Sequence, residues 1–256
     1  MRSRNTSSII CAVFTIALLG IMGLSFSAAT NQDKPTYKIT GSEATLVGTI
    51  SFMGTPPEPL RIDTSADPIC ESINPGLTTD LTVVNNQKLA NVLVYVRGAS
   101  LDAYSFDAPS PDVTLEHKGC QYVPHVLGML TQQTLKIFNS DPTTHNTHPT
   151  PKNNREWNQS QPPGAAAIEK RFASPELFIP IKDNQHPWEK AYVAVMDHPF
   201  FAVSDESGRF EIRGLPPGTY TLVVWHQSLG EQELEITVGP GELRNADFTF
   251  DADKKH

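Results

Sequence analysis

Cysteine is scarce in this chain: there are three in 256 residues, and one of them, Cys11, lies inside an N-terminal apolar run. Also missing are a Gly-x-Ser-x-Gly nucleophile elbow, a His-Glu-x-x-His zinc helix and a glycine-rich phosphate loop opening a helix. Those absences remove the common signatures of serine hydrolases, zinc proteases and nucleotide-binding folds. Carboxylates are scattered, with no spacing that implies a general acid and base pair. Beyond residue 30 no apolar run is long enough to span a bilayer, and no stretch repeats its apolar residues at helical spacing. Positive charge is short as well, with 20 Lys and Arg against 28 Asp and Glu and a formal charge of −8. Such a body repels nucleic acid and anionic lipid and tolerates cations.

What is present begins with a basic start, Met1 to Asn5, then an apolar run from Ile9 to Leu24, then the small residues Ser27, Ala28 and Ala29 that a signal peptidase reads. Residues 1–29 are therefore expected to be a removed export signal. The alternative is an uncleaved anchor, interrupted by Gly20 and Gly23. Cys11 comes too early for a lipidated cysteine. The expected product is periplasmic or secreted, with no membrane association after signal removal. Residues 1–29 hold two arginines and no carboxylate, so the charge of −8 becomes −10 for the remainder. In an oxidising compartment Cys70 and Cys120 are expected to form a disulfide, closing a loop that stabilises the fold by about 4 kcal/mol on the chain-entropy model. The competing reading makes Cys120 a thiolate ligand beside His125.

Short runs of β character follow a polar leader, residues 30–36. Leu46–Phe52 and Val92–Val96 read as strands, and in the second Val92, Val94 and Val96 share one face while Leu93 and Tyr95 share the other, as in a strand covered on both sides. Residues 113–116, 126–130, 134–138, 176–181 and 191–196 continue the pattern. Gly54 to Gly76 and Ser140 to about Phe172 read as loops, rich in proline and polar residues. From Asp205 the chain alternates again through Phe210 and Ile212, turns at Leu215-Pro-Pro-Gly218, and continues as a meander to Phe250. That segment has four or five strands, fewer than a full sandwich, so it is expected to borrow a strand or dock on what precedes it. The fold class is all-β.

Histidines concentrate in two places, Asn139 to His148 and Asp183 to Glu189, each following a β run. Such positions converge at one end of a β-sandwich. Asp183 and His186 are three apart on a turn, which lets both face one ion, with His145 from the facing loop and His148 or His125 completing the set. Two imidazoles with carboxylates suit Cu(II), Zn(II) or Ni(II). Each residue also has a plain structural explanation: Asp183 can cap its own turn, His186 and Pro187 can shape it, and His145 can bond a loop carbonyl. His117, His198 and His226 have no sequence partner that suggests chemistry.

The stretch Asp205 to Leu222, with Asp-Glu-Ser-Gly and Leu-Pro-Pro-Gly-Thr-Tyr, resembles the carboxypeptidase regulatory-like domain, a prealbumin-type sandwich related to carbohydrate-binding-like folds. Gly119 to His125, Asn139 to His148 and His186-Pro187-Trp188 resemble a cupredoxin-type domain. The whole is similar to exported bacterial proteins of the methylamine-utilisation-like group. The resemblance implies a Greek-key cupredoxin-like sandwich over residues 37–197, a smaller regulatory-like sandwich over 198–250 and a tail at 251–256. It also implies that the cupredoxin ligand positions fall on His145, Asp183, His186 and Glu189, with both sulfur ligands replaced by carboxylates. A blue-copper centre is defined by its thiolate bond, so a rapid electron-transfer site is not expected. The expected function is non-enzymatic binding of a transition-metal ion, copper before zinc. A three-ligand site with an open position would still be chemically competent for hydrolysis or oxidation. The alternative is a cell-envelope module that binds carbohydrate or protein and has lost its metal. The expected partners are the metal ion and a redox protein, an envelope protein or a glycan.

Overall fold

The structure, a computed structural model, describes residues 34–107 and 111–253. The export-signal reading of residues 1–29, residues 30–33 of the leader and the last three residues of the tail lie outside that range. From Lys34 onward the chain forms one compact unit. Strands dominate it, and the runs read from alternation lie inside an observed strand or within one residue of its ends. Among the described residues no helix is long and apolar enough to cross a membrane.

Among the described residues the strands form four sheets. The first is built on the long strand Ala44–Met53, which pairs antiparallel with Arg209–Leu215 and parallel with Leu243–Asn245 and Phe248–Asp251. The second runs Phe201–Val203, Leu93–Arg97, Gly218–His226, Gly230–Val238. Leu46, Ile50, Val94, Val96, Leu222 and Phe250 belong to the core shared by these two. The third sheet runs Gln159–Gln161, His145–Pro149, Glu176–Lys182, Lys190–Met196, Val126–Leu130. The fourth runs Ile168–Lys170, Leu135–Asn139, Val113–His117, Tyr122–Val123, with Leu115, Ile137, Ile179 and Val193 in the core that the third and fourth share. A further cluster, with Leu93, Tyr95 and Val223 from the second sheet and Val126, Ala194 and Met196 from the third, joins the two sandwiches.

Alternation explains why the inner sheets read as continuous apolar runs. In Leu93–Arg97, Val94 and Val96 enter one core while Leu93 and Tyr95 enter the joining cluster. In Lys190–Met196, Ala191, Val193 and Val195 face the site-bearing sandwich while Ala194 and Met196 face the other way. Successive side chains point to opposite faces, and both faces here are covered.

The cores divide the chain elsewhere than at residue 197. Residues 44–106 share a core with residues 200–252, while residues 113–196 build the other sandwich. The C-terminal meander is too short to cover two sheet faces, and Ala44–Met53 and Leu93–Arg97 supply the missing strands. Two loop expectations are also corrected. Within Gly54 to Gly76 lies the six-residue helix Pro68–Ile73, started by Asp67, whose side chain accepts from the Ile69 and Cys70 N–H groups, with proline in the first turn where no N–H is needed. It is too short to show an amphipathic period. Within Ser140 to Phe172 lie three strands, His145–Pro149, Gln159–Gln161 and Ile168–Lys170. The first lacks apolar alternation because its inward groups are polar.

This division predicts the behaviour of a fragment. A chain cut after residue 197 leaves Ala44–Met53 and Leu93–Arg97 without their partners, and is expected to lose native dispersion in a two-dimensional amide spectrum. A well-folded fragment 34–197 would contradict the shared core.

Candidate metal centre

The site-bearing sandwich gathers its polar side chains at one end. His117 closes the strand Val113–His117, where alternation points it inward with Leu115, both fully buried. His145 opens the strand His145–Pro149, also fully buried. Asp183, His186 and Glu189 come from the connection between Glu176–Lys182 and Lys190–Met196, all at most 2% exposed. Asp183 Oδ1 accepts from the backbone N–H groups of Gln185 at 2.7 Å and His186 at 3.0 Å, which fixes the turn. Its other oxygen is thereby held facing the histidines.

That second oxygen, Asp183 Oδ2, lies 3.0 Å from His145 Nδ1 and 3.2 Å from His186 Nδ1, and accepts the Asn146 N–H at 3.0 Å. Glu189 Oε2 lies 2.7 Å from His117 Nδ1, and the Nε2 of that ring lies 3.1 Å from Thr147 Oγ1. Glu189 Oε1 sits 3.1 Å from His145 Nδ1 but outside hydrogen-bond geometry, so it is a buried carboxylate oxygen with no hydrogen-bond partner among the described residues. The His117 and His145 rings stack, centroids 4.4 Å apart, and the His186 ring lies 4.5 Å from His145.

Two further carboxylates close the cluster from outside. Asp141 Oδ2 is 3.1 Å from His145 Nε2, and its oxygens accept the N–H groups of Gly119 at 2.7 Å and Cys120 at 2.8 Å. Gly119 and Cys120 have φ of 65° and 55°, so the Asp141 carboxylate caps a left-handed pair that a cysteine rarely adopts. Asp67 Oδ2 is 3.0 Å from His186 Nε2 and accepts from Thr143 Oγ1 at 2.8 Å. Cys70 and Cys120 are joined in a disulfide, as expected, so neither is a thiolate here. Trp188 donates Nε1–H to the Cys120 carbonyl at 3.0 Å beside this bridge.

Four carboxylates thus face three imidazoles, leaving the cluster short of positive charge even with every ring protonated. Burial pulls the His145 ring toward neutrality, but Asp141, Asp183 and Glu189 outweigh it and raise its pKa to about 11. His186 is raised too, against its own burial, by Asp183 and Asp67. Burial pushes the Asp67 and Asp183 carboxyls up, yet hydrogen bonds bring Asp67 down to about 2 and Asp183 further below the usual range.

One donor atom from each of His117, His145, Asp183 and Glu189 lies within 4.8 Å of the others. A tetrahedral ion with bonds of about 2.1 Å needs ligand edges of about 3.4 Å. The separations of 3.0 and 3.1 Å already present require little movement to meet that. The set is two nitrogens and two oxygens, suited to Cu(II) or Zn(II), with no sulfur for a blue-copper centre.

Sequence reasoning placed His145, Asp183, His186 and Glu189 near one point, and they meet there. It also nominated His148 and His125, and the structure puts both elsewhere. His148 is three residues from His145 on the same strand, and residues an odd number apart face opposite sides. It lies 2.7 Å from Glu156 and 3.2 Å from Asn184 on the outer face. His125 precedes the strand Val126–Leu130 and sits 3.0 Å from Asp80, at a contact outside hydrogen-bond geometry. The reading of His117 as a residue without a partner is corrected, since Glu189 pairs with it. Asp141 and Asp67 were also missed, although Asp141 stands four before His145 and Asp67 precedes a proline, as an N-cap does.

The carboxypeptidase regulatory-like domain model matches residues 181–251. The match starts in the strand that leads into Asp183 and ends in the last strand of the first sheet. No curated protein matches the chain. Among solved structures, a copper-containing nitrite reductase from Thermus scotoductus SA-01 is similar at 17% identity and a TM-score of 0.32, over 35% of this chain and 23% of that one. A purple cupredoxin from Nitrosopumilus maritimus is similar at 20% identity and 0.29, over 33% of this chain and all of its own. A mutant amicyanin in its Cu(I) form is similar at 14% and 0.27, over 41% of this chain and 99% of its own.

The charges set a pH dependence for the metal-free chain. A raised imidazole stabilises the fold fully below its ordinary 6.5 and loses that contribution as pH climbs toward about 11. Lowered carboxyls stabilise above their ordinary 3.8 and lose it as pH falls through their folded values. The melting temperature should therefore be highest between about pH 4 and pH 6.5 and fall as pH climbs from 6.5 toward about 11. In His145→Gln the alkaline decline should flatten, at lower overall stability. An unchanged slope in that variant would show that His145 is not the group responsible.

Proposed function

We propose that this chain is an exported, non-enzymatic protein that binds one divalent transition-metal ion, Cu(II) ahead of Zn(II), on His117, His145, Asp183 and Glu189. The observation that carries this reading is the convergence of those four buried donors, with Glu189 Oε1 left without a hydrogen bond at 3.1 Å from His145 Nδ1. A buried carboxylate oxygen with no donor is costly, and a cation is what would satisfy it. Copper precedes zinc because a generic nitrogen and oxygen site binds Cu(II) most tightly among first-row divalent ions. Asp141 then orients the His145 ring from behind, as carboxylates do around metal-bound imidazoles, while Asp67 holds the His186 ring beside the set. Without thiolate or thioether the role is storage or delivery of the ion in the cell envelope.

A second reading is favoured by a specific feature of the same cluster. Most of its polar atoms already bond one another, so the network can hold the sandwich end together with no ion, in a module that binds an envelope protein or a glycan. The two readings part on stoichiometry. The full chain, titrated with Cu(II) at neutral pH and freed of weakly bound metal, should retain about one ion and show no intense visible thiolate-to-copper band. His145→Ala and Asp183→Ala should each lower affinity at least 10-fold, the scale expected for removal of a ligand or its orienting partner. Equal, weak uptake by wild type and both variants would leave the metal-free module as the better account.

A further inference from the structure

The disulfide lies against the cluster on the side that the divalent set does not use. His145 and His186 each turn Nδ1 toward Asp183 and Nε2 toward a different carboxylate. On the His145 side that carboxylate is Asp141, which accepts the Cys120 N–H, and donor atoms of Cys120, Asp141 and His145 lie within 4.8 Å of one another. On the His186 side it is Asp67, whose other oxygen accepts the Cys70 N–H, and Asp67, Cys70 and His186 form an equally close group. The two sulfurs are therefore poised beside two different imidazoles. Those imidazoles are themselves 4.5 Å apart between ring centroids.

We propose that the Cys70–Cys120 disulfide is the oxidised form of a soft-metal site, in which both sulfurs, with His145 and His186, hold Cu(I) once the bridge is reduced. The chemistry balances by thiol–disulfide exchange: a dithiol attacks one sulfur, the Cys70–Cys120 bond breaks, two cysteine thiols form, and the dithiol is oxidised to its own disulfide. Copper is supplied as Cu(I), so no further electron is needed, and the thiol protons pass to solvent as sulfur binds metal. Thiolate ligands select Cu(I), which the nitrogen and oxygen set does not. The scarcity of other sulfur in this region makes the assignment specific. The inference shares His145 with the proposed divalent site but needs neither Glu189 nor His117.

The test uses the full chain, oxidised and reduced with a phosphine under anaerobic conditions, then desalted and titrated with Cu(I) against a chromophoric Cu(I) chelator. The reduced chain should expose two more titratable thiols than the oxidised chain and hold about one Cu(I) at least 10-fold more tightly. X-ray absorption of that complex should show sulfur in the first coordination shell. Cys70→Ser/Cys120→Ser should lose this retention while keeping the Cu(II) uptake of the oxidised wild type, and circular dichroism checks that it folds. If that double variant is unfolded, His186→Phe in the reduced chain serves instead, and it too should weaken Cu(I) retention. Equal retention by oxidised and reduced chains, a first shell without sulfur, or loss of the fold on reduction would each overturn the proposal. Cu(I) retention by the reduced chain without Cu(II) binding by the oxidised one would sink the divalent reading alone.

Discussion

One oxygen organises the polar end of the site-bearing sandwich. Asp183 Oδ2 faces His145 Nδ1, His186 Nδ1 and the Asn146 N–H, while Oδ1 accepts two backbone N–H groups of its own turn. A fully buried carboxylate is several kcal/mol too costly to keep unless donors surround it. Here the donors come from the strand His145–Pro149 as well as from the turn, so satisfying the charge also fixes the spacing between the two. The remaining contacts depend on that spacing. Glu189 reaches His117 only because the turn closes, with Asp183 N–H on the Glu189 carbonyl and Glu189 N–H on the His186 carbonyl.

The layered architecture explains why so polar a cluster is tolerated. Hydrophobic stabilisation is supplied elsewhere, by a core between the first two sheets, a second between the third and fourth, and a cluster that joins the inner sheets. The cluster sits at the end of one sandwich, where strands stop and backbone groups are free to serve as donors. Asn146, Gly119 and Cys120 are used in this way. None of the four divalent ligands comes from a strand of the first sandwich, yet the family match that begins at residue 181 runs from the strand before the site's turn into that sandwich. The two are therefore mechanically continuous through Lys190–Met196, whose opposite faces belong to different cores.

How far the chain could be read before its structure depended on whether apolar alternation was present. Leu93–Arg97 and Lys190–Met196 announce themselves because hydrophobic burial on both faces leaves a continuous signature. His145–Pro149 does not, since its inward side chains are His145 and Thr147, and a polar strand looks like loop. That misreading also explains the misplaced His148: in a loop two histidines three apart can converge, whereas on a strand they diverge. His117 was legible in principle, as the inward position after Val113 and Leu115. Its partner Glu189 is 72 residues away, which no local pattern reveals. The strand that the C-terminal meander borrows was not nameable for a related reason, because pairing Ala44–Met53 with Arg209–Leu215 is a contact between distant segments with no sequence marker.

The carboxylates of the second histidine loop then take on a different meaning. An imidazole offers one nitrogen to a metal, and what holds the other nitrogen decides which one. With Asp183 as a ligand, His145 leads with Nδ1 and Asp141 supports it through Nε2. With Cys120 as a ligand the roles invert: Nε2 leads and Asp183 becomes the support. Both arrangements keep a carboxylate behind the ring, so neither leaves a buried imidazole half-satisfied. His186 repeats the relation with Asp183 on one side and Asp67 on the other. Carboxylates in the loop and cysteines outside it thus place hard and soft donors on opposite faces of the same two rings, and the oxidation state of one bond decides which face carries sulfur.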